Sequence, residues 1–225
     1  MLKPQKKRVT KKNLKEDKFV ETALLARSYF EEHTKEITYI AGAVVVLAIL
    51  IWLFLNHRAQ RLHEAEVLLG KAQIEMQSMH TNKARAFLNQ LIQNYEGTDA
   101  ADQGYFLLAN LDFQAQKYDM AEKEYKKFIA SYGGSKILLA SGYAGYAACL
   151  EHRGAHKEAA ENYLKAQKTA PNFVEAANYL YLAGLNYKDA GMKDKAIEVF
   201  QKIIAKYKNS KRVDDAKAQI ILLEK

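Results

Sequence analysis

The sequence predicts an all-α protein: a single N-terminal transmembrane helix, then a helical solenoid of about four helix pairs closed by one capping helix. Three observations predict it. Residues 37–55 read ITYIAGAVVVLAILIWLFL, nineteen residues without a charge. Beyond them, Ala84, Ala121, Ala159 and Ala196 recur in the same local context, at spacings of 37, 38 and 37 residues. The 225 residues contain two prolines, which suits a chain that is helical almost throughout.

The apolar run divides the chain into a basic segment, 1–36, an anchor, 37–55, and a long domain, 56–225. As a helix the run would measure about 28 Å, close to the hydrocarbon thickness of a bilayer. Tyr39 and Trp52 stand towards its ends, where amphipathic rings favour the membrane interface. Apolar residues cover every face of this helix, which distinguishes it from a surface helix with one buried stripe. Asn56-His57-Arg58-Ala59 offers no small-x-small cleavage site, so the run reads as an uncleaved signal anchor.

The net charge of +8 is unevenly spread. Residues 1–36 hold ten Lys/Arg and six Asp/Glu; the other 189 residues hold 24 and 20. Lys3, Lys6, Lys7, Arg8, Lys11 and Lys12 open the chain with no acid among them. Such a cluster can bind nucleic acid. Beside an anchor, attraction to anionic headgroups of the lipid bilayer accounts for it better, and no nucleic-acid partner is assigned. The bias predicts a cytoplasmic N-terminus. Close to the span the two sides tie, with Lys18, Arg27 and Lys35 before it and Arg58, Arg61 and Lys71 after it. The long domain can translocate regardless of charge, so the short N-terminal segment decides.

Residues 1 to about 16 read as disordered. From Asp17 to Glu36, Phe19, Val20, Ala23, Leu24, Arg27 and Phe30 suggest an amphipathic helix. No glycine or proline separates it from the span, and none separates the span from RAQRLHEAEVLLGKAQ at 58–73. One helix is therefore expected to run from the anchor into the domain.

The third and fourth repeats show the packing logic. Ala147 and Gly184, then Ala159 and Ala196, are small residues where paired helices approach. Leu150 and Tyr187, then Tyr163 and Phe200, are the large residues that fill the space beside them. Gly154 and Gly191 end the first helix of each pair, where a left-handed residue costs glycine little. In the second repeat Asp112 takes the place of Leu150 and Tyr187. The first repeat keeps little beyond Leu68, Ala72, Ala84 and Leu88. Thr98, Ser135 and Ser210, at the joints between repeats, are candidate helix caps. Val213–Leu223 reads as the capping helix.

These residues resemble the tetratricopeptide repeat, with a period longer than that family's usual ~34 residues. The resemblance implies a concave groove lined by the first helix of each pair. Its groove offsets fall on Gln103, Phe106, Asn110, Phe113 and Gln114; on Ser141, Ala148, Glu151 and His152; and on Asn178, Tyr181, Leu185, Lys188 and Asp189. Amides, aromatics and mixed charges suit an extended peptide or a partner helix.

Catalytic and cofactor signals are not found. His152 and His156 have Gly154 between them at a helix end, and no HExxH or paired-cysteine motif is present. Gly133-Gly134-Ser135-Lys136 lacks phosphate-loop spacing. Cys149 is the single cysteine and reads as a small core residue. No enzyme activity, cofactor or metal is expected.

The layout of basic segment, one span and long-period repeats resembles the YfgM-like ancillary subunit of the bacterial Sec translocon. That resemblance implies a single-pass inner-membrane protein with its repeats in the periplasm. Its partners would be the SecYEG translocon, a membrane-anchored periplasmic chaperone of the peptidyl-prolyl isomerase type, and exported polypeptides. An organellar import receptor with cytosolic repeats, and a scaffold for envelope or division machinery, are the alternatives.

Overall fold

The computed structural model describes residues 11–225, with side chains from Lys18 on. The described residues form ten α-helices and no strand. The chain divides into two compact units, one ending at Ala59 and the other running from Gln60 to Lys225.

In the first unit, α1 spans Lys11–Glu32 and α2 begins at Thr34 and continues to Gln77. Helical hydrogen bonds bridge His33, from its N–H to Tyr29 O (3.0 Å) and from Ile37 N–H to its carbonyl (2.9 Å). Thr34 and Thr38 donate their hydroxyls to the carbonyls of Phe30 and Thr34 in the preceding turn, at 2.7 Å each. The expected disordered start is corrected over 11–16, which belong to α1; residues 1–10 lie outside the described residues. The expected amphipathic character of α1 is also corrected. At 3.6 residues per turn, Leu25 and Tyr29 sit roughly 240° and 280° around the helix from Phe19. With Val20, Leu24 and Phe30 also exposed, apolar side chains surround most of α1 rather than forming one stripe. Helix α2 is 44 residues long and contains a stretch long and apolar enough to cross a membrane, with none of that stretch buried.

The second unit stacks helix pairs. Its first pair is the C-terminal part of α2 with α3 (Thr81–Asn94); the next are α4 (Asp99–Gln114) with α5 (Tyr118–Ser131), α6 (Lys136–His152) with α7 (His156–Thr169), and α8 (Ala176–Asp189) with α9 (Lys193–Lys206). Helix α10 (Arg212–Glu224) closes the stack. The four recurring alanines, Ala84, Ala121, Ala159 and Ala196, are all fully buried. A side chain larger than a methyl there would separate the paired helices. Gly184 shows the same limit on the facing helix: a methyl added to it would fall 2.5 Å from Phe200 Cε1.

Each pair turns by the same device. Five residues before each recurring alanine the backbone is left-handed: Met79 (φ 59°), Gln116 (φ 60°), Gly154 (φ 78°) and Gly191 (φ 71°). The residue after it donates its N–H back five positions, from His80 to Glu75, Lys117 to Asp112, Ala155 to Leu150 and Met192 to Tyr187, at 2.8–2.9 Å. This is the Schellman closure of a helix C-terminus. Of the candidate caps, Thr98 Oγ1 accepts the Ala101 N–H (3.2 Å) and Ser210 Oγ accepts the Arg212 N–H (3.2 Å). The Ser135 side chain caps nothing; instead its N–H donates to Tyr132 Oη (3.0 Å).

Candidate functional site

The helices that line a solenoid's inner curve are those whose neighbours crowd together. Here the first helices of successive pairs touch, α4 against α6 and α8 against α10. The groove offsets lie on α4, α6 and α8, and the structure gives those residues different environments.

On α4, Gln103 is half-buried and Gln114 is exposed. Phe106 is half-buried and packs within its own pair, its ring 6.1 Å from Tyr125 and 5.2 Å from Phe128. Asn110 Oδ1 accepts the Tyr125 hydroxyl proton at 2.6 Å. Both side chains therefore hold α5 to α4, and only part of each faces outward. Phe113 belongs to a cluster spanning two pairs. It meets Tyr118 edge-on at 5.3 Å and His152 at 5.5 Å, while Tyr118 and His152 stack at 4.1 Å, nearly parallel. Sequence reasoning missed Tyr118, which begins α5 and is outside the groove offsets.

On α6, Glu151 Oε2 accepts the Tyr163 hydroxyl proton at 3.1 Å. On α8, the polar groups are engaged by the closing helix. Asn178 Oδ1 accepts from Arg212 Nε (2.9 Å), Arg212 lies 4.6 Å over the Tyr181 ring, and Lys188 Nζ donates to Gln219 Oε1 (3.3 Å). Arg212 was also missed; a signal for it is its distance of one repeat from Asn178, which puts it in register on the next first helix. The structure thus brings Phe113 and His152 together, and Asn178 and Tyr181 together around Arg212.

Buried charge concentrates where the first two pairs meet. Asp112 is fully buried and takes a two-pronged ion pair from Arg85, with Nη1 to Oδ2 at 3.0 Å. Glu124 lies beside Asp112, and its Oε2 is buried without a donor. Burial and the adjacent Asp112 carboxylate push the Glu124 carboxyl up to about 7. Glu122 is held between Lys126 (2.8 Å) and Arg153 (3.2 Å), tying α5 to the end of α6.

The cysteine and the paired histidines that the sequence offers are engaged within the fold. Cys149 is 1% exposed, and burial pushes its thiol up to about 12, so thiolate is scarce at neutral pH. His156 Nδ1 meets Asn186 Oδ1 at 3.1 Å. Asn186 Nδ2 donates to Leu182 O, so Oδ1 is the acceptor and the proton sits on His156 Nδ1. His152 is engaged elsewhere, by Tyr118. Among the described residues no three His, Cys, Asp or Glu side chains gather to hold a metal.

Comparison with known proteins agrees with this geometry. The family model for the tetratricopeptide repeat matches residues 64–98 and 178–210, which are the first and fourth pairs. No curated protein sequence matches. Solved structures with the same fold include MamA, 22% identical over 64% of this chain and 78% of that one, with a TM-score of 0.54. The pilF protein of Pseudomonas aeruginosa is 20% identical over 73% and 70%, with a TM-score of 0.55. BtubC from P. vanneervenii is 17% identical over 61% of each chain, with a TM-score of 0.54. The fold is a tetratricopeptide-type solenoid. Residues 64–98 and 178–210 match the tetratricopeptide repeat, and the solenoid that holds them continues from a helix with one long apolar stretch.

Proposed function

We propose that the protein is a membrane-anchored, non-enzymatic interaction module acting as an ancillary subunit of the bacterial Sec translocon. In this reading residues 1–36 lie in the cytoplasm and 37–55 span the inner membrane. Residues 56–225 stand in the periplasm, beside the SecYEG channel and a membrane-anchored chaperone of the peptidyl-prolyl isomerase type, and serve exported polypeptides. The observation that carries it is the joining, on one helix, of a charge-free apolar run to a tetratricopeptide-type solenoid. A span confines the solenoid near its partner, so individually weak contacts are occupied through effective concentration and still exchange quickly.

Recognition then falls on the groove side chains least tied into the fold: Gln103, Gln114 and His152, which is exposed although one face of its ring stacks on Tyr118, with Phe113 behind them. The triple variant Gln103→Ala, Gln114→Ala, His152→Ala is expected to stay folded and membrane-bound and to lose the chaperone in a mild-detergent pull-down. Capture at the wild-type level by that variant, with loss on exchanging the 37–55 span, would put recognition in the membrane segment instead.

A further inference from the structure

A second surface, away from the groove offsets apart from Asn178, lies where the α7–α8 joint faces the α9–α10 joint. Residues 171–175 and 205–212 enclose an open cleft of about 1290 Å³. That exceeds the roughly 300–1,000 Å³ typical of small-molecule pockets and suits a segment of chain.

The cleft is built and held. Tyr207 Oη donates to Pro171 O (2.8 Å) across the two joints, and Gln167 Nε2 donates to Tyr207 Oη (2.8 Å). Its lining carries four cations and two carboxylates. One carboxylate, Asp215, is spent on Arg212 at 2.9 Å. Lys206, Lys208 and Lys211 are exposed and have no ion-pair partner among the described residues. In the other lining segment Val174 is 82% exposed, the most exposed branched aliphatic side chain of the second unit. A folded chain gains nothing by presenting three unpaired lysines around a bare valine. A ligand with acidic groups flanking an apolar side chain satisfies both. The start of α8 borders the cleft without a side-chain cap and adds to the positive field.

We propose that this cleft binds an acidic, extended peptide segment of a partner protein, its carboxylates on Lys206, Lys208 and Lys211 and an apolar side chain against Val174. This contact adjoins the groove only at Asn178 and Arg212 and does not depend on the translocon assignment.

The test uses the full chain in detergent micelles and a fluorescein-labelled nonapeptide of repeating Asp-Glu-Leu. Anisotropy should show saturable binding that weakens with added salt. Reversing the three lysines (Lys206→Glu, Lys208→Glu, Lys211→Glu) should weaken it by about tenfold or more, and Val174→Asp should weaken it severalfold. These residues are exposed, so the helical circular dichroism should not change. A repeating Lys-Arg-Leu peptide should not bind. Equal binding of acidic and basic peptides, or undiminished binding by the triple reversal, overturns the proposal. So does failure of the acidic peptide while phosphatidylglycerol vesicles or oligouridine bind through the same lysines, since the occupant is then a lipid surface or a nucleic acid.

Discussion

The first two helix pairs and the last two reach the same backbone by different chemistry. Repeats three and four share one continuous core with α10, running from Ala140 through Tyr163, Tyr187 and Phe200 to Ala216. Repeats one and two divide theirs among three smaller clusters. Where the last two pairs place Leu150 and Tyr187, the second places Asp112, fully buried and answered by Arg85. Where the last two turn on Gly154 and Gly191, the first two turn on Met79 and Gln116 in the same left-handed conformation. The difference teaches that repeat geometry is set by the size of the residues between paired helices and by the closing hydrogen bond. The chemistry around them can vary, at a local cost in stability.

The largest effect should come from the polar junction. Arg85→Met leaves the Asp112 carboxylate buried and unpaired, and should lower stability to urea by about 3 kcal/mol. Adding Asp112→Leu copies the third repeat at this position and should recover most of that loss, because an apolar pair of similar volume often equals a buried ion pair. A single variant as stable as wild type would show that the junction relies on packing, as the last two repeats do.

A smaller effect should appear on titration. The Glu124 carboxyl is raised from 4.5 to about 7 in the fold, so between those values the folded chain binds more protons than the unfolded one. Stability must then fall as pH rises through that window and level off above it. Discounted for partial exposure, the change should be about 1 kcal/mol. Glu124→Gln should remove the slope and raise the melting temperature at pH 8. A parallel pH dependence in the variant would assign the titration to another group.

The smallest effect tests the turns. Gln116→Gly and Met79→Gly should each stabilise by about 1 kcal/mol or slightly less, because a left-handed backbone strains any residue with a Cβ. Gly154→Gln should cost a similar amount. Differential scanning calorimetry would read these as opposite shifts. If Gln116→Gly does not stabilise, the side chain offsets its own strain, and the two halves of the solenoid differ at the turn as well as in the core.

Much of the fold was legible before any coordinates. The recurring alanines announced the helix pairs because only a small side chain fits at a close helix contact, and that constraint leaves a mark at a fixed spacing. The glycines after α6 and α8 were legible for the same reason. Their counterparts Met79 and Gln116 were not, since nothing in a methionine or glutamine signals a left-handed turn. Unbroken helical periodicity past Leu55 also announced the continuous α2. The groove was legible as a set of offsets, but not in what its members do. Asn110 and Glu151 accept tyrosine hydroxyl protons from their own repeats, and Tyr181 lies under Arg212.

By itself, then, the sequence determined the helical class, the register of the repeats, the small-residue contacts and the charge-free run. Each of these is written in local spacing or composition. Only the tertiary structure decided which polar side chains the fold consumes and which it leaves free. It placed Arg85 against Asp112, 27 residues away, and stacked Tyr118 on His152, 34 residues away. It also set the joint at Pro171 beside the joint at Tyr207. Such pairings depend on how one repeat is set against the next. That relation is fixed by side chains far apart in sequence, where periodicity carries no record of it.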